Sequence, residues 1–261
     1  MTQVAIVGYG FVGRAMHKLF PYALIHDLGP IYESRQLVNE RADVAFICVP
    51  TPGSGHGELD TSIVEAVIAW CECPLIVIRS TVNPGTADYL EQKYGRNIVV
   101  MPEYIGETTD HPLLDEKARR FLVIGGRPEN RRKVIELFQS VYNSAITLRQ
   151  VTNYEAECIK LAENRAIAWK VMQIHELYRA CEAAGVDFYT VRDAVYGDDP
   201  RFNLWFAWPY PDKPGFESSK CLRKDVPAWC AWAESAGYDP VLTKRLVDES
   251  KNWARVECGA C

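Results

Sequence analysis

Cys221 is the cysteine best placed for nucleophilic chemistry, because the cations Lys220, Arg223 and Lys224 lie within three residues of it. A helix is also predicted to begin nearby. Positive charge and a helix N-terminus both stabilise the thiolate, which is the nucleophilic form of cysteine. Asp225, four residues after the thiol, could hold its reaction partner or a water molecule. A buried, unreactive cysteine is the alternative.

Lys160 and Asn164 form a second candidate pair. They are four residues apart in a stretch with a helical pattern, so both side chains project from the same helix face. A cation beside an amide could hold a developing oxyanion. On spacing alone, a position at the protein surface explains the pair better.

Two loops that directly follow predicted strands carry further polar candidates. Glu103 and Glu107 come after one strand, and Thr81 comes after another. Ligand sites in open α/β sheets lie at the carboxyl ends of the strands. The two carboxylates could therefore position or activate water, and the Thr81 hydroxyl would face the same crevice. Charges that serve only solubility would explain the two glutamates equally well.

The loop that contains Thr81 also predicts the start of a helix. Asn83 and Pro84 are typical of the N-cap and the first helical position, and neither needs a function to explain it.

A glycine motif, Gly8-Tyr9-Gly10-Phe11-Val12-Gly13, directly follows one predicted strand and opens a helix. Its first glycine permits a tight turn, its second lets the backbone approach a pyrophosphate, and its third allows close packing of helix on strand. The next strand ends in Asp27, where a carboxylate accepts hydrogen bonds from the adenosine ribose and disfavours the extra phosphate of NADP. The sequence therefore predicts NAD as the cofactor.

The elements that must position these residues are predicted to be alternating strands and helices in the first half of the chain and helices alone in the second half. Short β-branched runs alternate with amphipathic stretches in the first half, and such runs favour a parallel sheet covered on both faces. We expect an α/β fold with a doubly wound Rossmann sheet, and an NAD-binding domain over residues 1–150. The runs lie at residues 3–7, 23–26, 44–49, 75–79, 97–101 and 121–125.

The second half predicts a smaller, all-helical domain over residues 151–261. Its first part runs from Asn153 to Gly185 without proline, which indicates one long central helix of roughly 30 residues. Shorter helices are expected near residues 187–196, 224–236 and 239–257.

The formal net charge is −5 over 261 residues, so there is no general attraction for nucleic acid or acidic membranes. No apolar run approaches the roughly 18 to 20 residues of a membrane span. The N-terminal segment enters the first strand without the basic region of a signal peptide. We therefore expect a cytoplasmic protein whose partner is a small-molecule substrate, with no nucleic-acid or membrane partner.

The nine cysteines are an odd number in a chain too large to need disulfides, so most are expected to be reduced. Cys71, Cys73, Cys258 and Cys261 could supply thiolates to a metal. A lone terminal pair is weak evidence for such a site, and no metal is expected.

Together these motifs resemble the UDP-glucose/GDP-mannose dehydrogenase family over nearly the whole chain. Several motifs in the same order are far more specific than any one of them. They are GYGFVG at 8–13, VPTP at 49–52, STVNPGT at 80–86, PEYIGE at 102–107, the pair Lys160 and Asn164, DPRF at 199–202 and PGFESSKCLRKD at 214–225.

The resemblance implies that the primary alcohol of a nucleotide sugar is oxidised to a carboxylate by two successive NAD molecules. Cys221 would hold the aldehyde as a thiohemiacetal and then as a thioester, which water hydrolyses. Lys160 and Asn164 would stabilise the oxyanion, Asp225 and a water held by Thr81 would assist proton transfer, and Glu107 would serve hydrolysis.

The resemblance also implies binding residues and a homodimer formed through the long helix. Its cofactor contacts are Gly8, Tyr9, Gly10, Phe11, Val12, Gly13, Asp27, Val49, Pro50, Thr51, Thr81 and Glu103. Its substrate contacts are Glu103, Tyr104, Lys160, Asn164, Arg201, Phe216 and Lys224.

The sequence departs from the family in two places. The family's cysteine loop usually reads Gly-Phe-Gly-Gly-Ser-Cys-Phe-Pro-Lys-Asp. Here the segment between Phe216 and Cys221 is one residue longer and lacks glycine, and Arg223 replaces the proline, which affects how the backbone can approach a substrate. The family also continues into another α/β domain that grips the substrate nucleotide. We expect a truncated form in which this recognition is altered, supplied by a partner or absent.

Three other functions stay open. A two-electron β-hydroxyacid dehydrogenase also combines a Rossmann domain with a long helix that carries lysine and asparagine, but it would not need Cys221. A non-catalytic subunit would bind NAD without turnover. A thiolate metal or redox protein would use the terminal cysteines.

Overall fold

The computed structural model describes residues 2–29, 31–55, 57–106, 116, 119–142, 146–199, 201–203, 205–208, 210 and 212–258, without the side chains of 256–258. The chain forms two compact units. The first unit comprises Met1–Ser54 and Leu59–Lys160, and the second comprises Gly55–Glu58 and Leu161–Cys261.

A parallel sheet of five strands organises the described part of the first unit, in the order β2-β1-β3-β4-β5. Val7 of β1 pairs with His26 of β2 on one side and with Ile47 of β3 on the other. Strand order reverses between β1 and β3, which defines the switch point where ligands bind in such sheets. The strands are β1 Val4–Val7, β2 Leu24–His26, β3 Val44–Ile47, β4 Leu75–Ile78 and β5 Ile98–Val100.

The interior strands are apolar on both faces because each face covers its own core. Ala5 and Val7 of β1 belong to one buried cluster, whereas Val4 and Ile6 belong to another. The same alternation continues through β3, β4 and β5. Such runs are typical of a sheet that helices cover on both sides, and they confirm the expected doubly wound α/β fold.

Five helices of the first unit are α1 Phe11–Leu19, α2 Arg35–Arg41, α3 Ser62–Trp70, α4 Thr86–Tyr94 and α5 Pro128–Gln139. Two further parallel strands, β6 Phe121–Ile124 and β7 Thr147–Gln150, pair with each other. The sequence did not predict β7, because all its residues are exposed and it has no apolar run.

The predicted start of α4 is wrong. The helix begins at Thr86, and its N-cap is Gly85, whose φ of 94° is left-handed. Asn83 does not cap it. Its side-chain amide instead accepts a hydrogen bond from the backbone N–H of Leu59 (3.0 Å) and donates to the carbonyl of the same residue (2.8 Å). A long-range loop contact therefore takes the amide that the local pattern assigned to a cap.

The long helix α6 spans Asn153–Ala184, 32 residues, which confirms the expected element. Its start is set by a capping box: the Thr152 hydroxyl accepts from the backbone N–H of Glu155 (3.2 Å), while the Glu155 carboxylate accepts from that of Thr152 (2.7 Å). Gly185, with φ of 65°, follows its last residue, as expected for a helix C-terminus.

Two buried side chains fasten the first turns of α6 to the rest of the first unit. Asn153 accepts from the backbone N–H of Val100 at 2.9 Å. Glu157 accepts from the backbone N–H groups of Gly85 (2.6 Å) and Ala87 (2.8 Å). The two Glu157 carboxyl oxygens thus satisfy donors at the start of α4 that would otherwise need a cap. Burial raises the pKa of Glu157 to about 8.

The second unit is helical, as expected. After α6 it contains α7 Phe188–Arg192, a π-helical turn Asp193–Gly197, α8 Leu222–Ser235 and α9 Val241–Cys258. Phe216, Leu222 and Val226 share a core cluster with Ala168 of α6 and Leu246 of α9. Among the helices of the described residues, none combines the length and apolar composition of a membrane span.

We predict a pH dependence of stability that Glu157 controls. Folding raises its pKa from an ordinary value of 4.5 to about 8, so the folded protein favours the protonated carboxyl. The resulting stabilisation is fully present below the pKa that Glu157 has in the unfolded state. It is lost as the pH rises through the pKa of the folded state. The free energy of unfolding should therefore fall between about pH 4.5 and about pH 8, by on the order of 1.4 kcal/mol per unit of pKa shift.

Urea denaturation at a series of pH values measures this effect. In Glu157→Gln, which has no proton to lose, the decline should be absent. Glu176→Gln, at an exposed position of the same helix, controls for the removal of one carboxylate. Equal pH slopes for wild type and Glu157→Gln would contradict the assignment.

Candidate functional site

The glycine turn between β1 and α1 excludes side chains at two of its three glycines. Gly8 has φ of 91°, and a Cβ there would lie 2.6 Å from the carbonyl oxygen of Cys48. A Cβ on Gly13 would lie 2.0 Å from the carbonyl oxygen of Gly8. At Gly10, by contrast, a Cβ would meet no described heavy atom within 4 Å. The backbone is thus open to a ligand at the middle glycine.

Asp27 lies directly beside this turn. Its Oδ2 accepts from the backbone N–H of Tyr9 and its Oδ1 from that of Leu28, both at 2.6 Å. Each carboxylate oxygen has a further lone pair, which can accept from a ribose hydroxyl. No side chain of the described residues caps α1, so its N-terminal N–H groups suit an anion. These residues fit NAD.

Other predicted cofactor residues lie at the same edge of the sheet. Val49 and Pro50 follow β3, Thr51 is buried, and the half-buried Thr81 follows β4. The Ser80 hydroxyl donates to the carbonyl of Val49 at 2.6 Å and so ties the two loops together. Phe11 and Val12 form the start of α1, where Phe11 is exposed and Val12 half-buried.

A buried ionic cluster lies where β4 and β5 end. The Arg79 guanidinium is fully buried and donates to Glu103 Oε2 at 2.7 Å and to Glu116 Oε1 at 2.6 Å. Arg119 also donates to Glu116 Oε1, at 2.7 Å. Burial opposes ionisation of Glu103, but the charges of Arg79 and Arg119 outweigh it and lower its pKa. Glu103 is therefore not a charge kept for solubility.

The partners of Glu103 in this cluster, Arg79, Glu116 and Arg119, were not predicted from the sequence. One signal was present, because Arg79 directly follows four apolar residues of a buried strand. A charge at such a place needs a partner.

Lys160 and Tyr104 are in contact within the first unit. The Lys160 ammonium lies 4.9 Å from the centre of the Tyr104 ring, within the range of a cation–π interaction. The Tyr104 side chain is buried. This contact gives the Lys160 ammonium a defined position.

A buried polar triplet lies in the second unit. Asn164 Nδ2 donates to Asp225 Oδ2 at 2.5 Å, and Lys224 Nζ donates to Asp225 Oδ1 at 2.7 Å. Asn164 is 3% exposed and Asp225 1%, so the surface explanation is wrong for Asn164. The triplet brings together three predicted site residues that sequence spacing alone could not join.

Cys221 is exposed and is the N-cap residue of α8, where its carbonyl accepts from the backbone N–H of Asp225 at 2.9 Å. Phe216 lies in the core, and its N–H donates to the Ser250 hydroxyl at 2.9 Å. Arg201 is largely exposed and pairs with Asp199 at 2.5 Å.

Glu107 lies outside the described residues, as do Cys261 and the side chain of Cys258. Within the described ranges, no three histidine, cysteine, aspartate or glutamate side chains are grouped to hold a metal ion.

A nucleotide-binding Rossmann unit followed by a long helix defines the class of dinucleotide-dependent dehydrogenases. Residues 33–146 match the NAD binding domain of the UDP-glucose/GDP-mannose dehydrogenase family, and residues 154–251 match its central domain. The chain belongs to this family, and its cofactor is NAD, as expected.

Similar proteins have been characterised or solved. UDP-glucose 6-dehydrogenase TuaD of Bacillus subtilis is 26% identical, over 96% of this chain and 63% of that protein. GDP-mannose 6-dehydrogenase of Pseudomonas aeruginosa is 32% identical, over 81% of this chain and 51% of that protein. The chain thus spans about half to two thirds of the length of these relatives.

The fold is also that of a solved structure. A UDP-glucose dehydrogenase from Pyrobaculum islandicum superposes with a TM-score of 0.82 and 23% identity, over 97% of this chain and 68% of that chain. This likeness confirms the α/β sheet and the long helix.

We predict opposite effects of alanine at two of the glycines. Gly13→Ala places a Cβ against backbone and should destabilise the protein by on the order of 2–3 kcal/mol, as overpacking does. Gly10→Ala should leave stability nearly unchanged, yet weaken NAD binding, because the methyl group fills the space for the pyrophosphate. Thermal unfolding without NAD and calorimetric titration with NAD measure the two effects separately. Unchanged NAD affinity in Gly10→Ala would contradict the site.

Proposed function

We propose that this protein catalyses the NAD-dependent oxidation of the primary alcohol of a nucleotide sugar to a carboxylate, through a covalent intermediate on Cys221. The observation that carries the proposal is the arrangement at the start of α8. An exposed thiol lies at the helix N-terminus, and one turn later the buried Asp225 is bonded to Asn164 and Lys224. Membership of the UDP-glucose/GDP-mannose dehydrogenase family supports the same proposed function.

The proposed reaction begins with loss of the hydroxyl proton and a hydride from the substrate carbon, which gives an aldehyde. NAD, held by the glycine turn at residues 8–13 and by Asp27, would supply the hydride acceptor for each of the two oxidations. Cys221 Sγ adds to the aldehyde carbon, and the thiol proton is released. Loss of the second hydride turns this thiohemiacetal into a thioester. Water then attacks the carbonyl carbon, the C–S bond breaks, and the Cys221 thiol is restored.

The surrounding side chains have electrostatic roles in this proposal. Lys160 and Asn164 stabilise the negative oxygen that develops on the substrate. The hydrogen bond from Asn164 to Asp225 fixes the orientation of the amide. Asp225 and a water held by Thr81 take part in proton transfer, and Glu107 assists hydrolysis of the thioester. These roles rest on the family resemblance.

Substrate recognition is proposed to use cationic groups for the phosphates. The Arg201 side chain is 80% exposed, and a guanidinium binds phosphate in a bidentate manner. Lys224 is half-buried beside Asp225. We also propose a homodimer formed through α6, which light scattering of the purified chain tests.

NADH formation with purified protein and a panel of UDP- and GDP-sugars tests the reaction. We expect two molecules of NADH for each molecule of substrate consumed. One NADH per substrate would instead favour a two-electron β-hydroxyacid-type dehydrogenase. Measurable NAD binding without turnover on any sugar would contradict the proposal and favour a non-catalytic role.

Replacement of the nucleophile gives a sharper prediction. Cys221→Ser should lower kcat by several orders of magnitude, as loss of a nucleophile does in other enzymes, and should leave NAD affinity unchanged. Cys158→Ser, at a half-buried cysteine of α6, is the matched control and should retain turnover. Full activity of Cys221→Ser would exclude covalent catalysis by this thiol.

A further inference from the structure

Tyr104 occupies a position that the resemblance assigns only to substrate contact. It follows β5, is 5% exposed, and its ring centre lies 4.9 Å from the Lys160 ammonium. The Arg119 guanidinium also lies near this ring, at 5.3 Å. The buried Tyr104 ring is therefore part of the core and also attracts two cations electrostatically.

The backbone around Tyr104 is hydrogen-bonded to the buried ionic cluster that contains Arg79 and Glu103. Glu103 Oε1 accepts from the N–H groups of Tyr104 and Ile105. Glu103 Oε2 accepts from Arg79 Nη2 at 2.7 Å, while Arg79 Nη1 donates to the carbonyl of Met101 at 3.1 Å. A single guanidinium therefore fixes this loop through both a side chain and the main chain.

The ring itself is held by a neighbouring aromatic side chain. Tyr104 packs edge to face on Phe121 of β6, with ring centres 5.0 Å apart and an angle of 71° between the planes. Such pairs favour one orientation over others. The face that Tyr104 offers to Lys160 is thus set by the fold.

We infer that Tyr104 positions the Lys160 ammonium for the reaction, and that the buried Arg79–Glu103 pair fixes Tyr104 in turn. Lysine has a long, flexible stem, so a reactive ammonium needs a restraint. The aromatic face of Tyr104 attracts the ammonium and so restrains its position, with the two 4.9 Å apart. Glu103 then acts through Tyr104, and its charge also acts directly on Lys160.

The inference rests on the proposed function for the importance of Lys160, so its first test does not use activity. Lysines of the intact protein are methylated reductively with ¹³C-formaldehyde and observed by NMR. The Lys160 resonance, identified by its absence in Lys160→Arg, should be shifted upfield by the ring current of Tyr104. Tyr104→Phe should keep this shift, and Tyr104→Leu should lose it. A Lys160 resonance among those of exposed lysines in the wild type would overturn the inference.

The second test separates positioning from general stability by kinetics. Tyr104→Leu should lower kcat by up to about 100-fold, the order that a displacement of ~1 Å can cost, with little change in KM for NAD. Tyr104→Phe, which keeps the ring, should lower kcat much less than Tyr104→Leu does. In a Lys160→Met background the same leucine substitution should have less than a twofold effect, because the group that it displaces is gone.

The outcomes distinguish this inference from the proposed function. Equal losses of kcat from Tyr104→Leu in both backgrounds would overturn the positioning role, even if the enzyme oxidises nucleotide sugars. An upfield Lys160 resonance in a protein with no turnover would support the positioning and contradict the proposed reaction. If Tyr104→Leu does not fold, the wild-type resonance and the Tyr104→Phe variant still decide the matter.

Discussion

The hydrogen bonds that hold the first turns of α6 within the first unit are the interactions on which the position of Lys160 depends. Asn153 bonds to the backbone of β5, and one turn later Glu157 bonds to the start of α4. Lys160 follows on the next turn, against Tyr104. A buried carboxyl group is costly unless its hydrogen bonds are made, and the oxygens of Glu157 accept from donors that α4 leaves unsatisfied. These hydrogen bonds offset the cost of burying Glu157 and fix the first turns of α6 in place.

Buried charge also organises the carboxyl ends of the strands. Arg79, Glu103, Glu116 and Arg119 form a cluster that alternates in sign, so each charge has an opposite partner within 2.7 Å. Removing Arg79 would take away the guanidinium from which both Glu103 and Glu116 accept, and breaking buried ion pairs in this way is more damaging than replacing whole pairs. Glu103 Oε1 also accepts from the backbone N–H groups of Tyr104 and Ile105, so the cluster bonds directly to the loop that contains Tyr104.

Much of the fold could be predicted because local pattern and tertiary burial agree. The β-branched runs of β1, β3, β4 and β5 are buried on both faces, and α6 begins and ends at strong signals. β7 could not be predicted because it is exposed. The nucleotide-binding turn could be predicted from the glycine motif and Asp27, because nucleotide binding constrains the backbone itself. By contrast, the Arg79–Glu103 pair joins residues 24 positions apart, and no local pattern records such a partner. The burial of Asn164 similarly depends on Asp225, 61 positions away.

The most direct test of the account is to look for substrate on Cys221. The protein is mixed with NAD and the nucleotide sugar that it oxidises, quenched in acid during turnover, digested and examined by mass spectrometry. We predict that the peptide containing Cys221 carries the mass of the sugar nucleotide as a thioester, and that hydroxylamine releases it. Turnover to the acid with an unmodified Cys221 peptide, and the same rate in Cys221→Ala, would contradict the account.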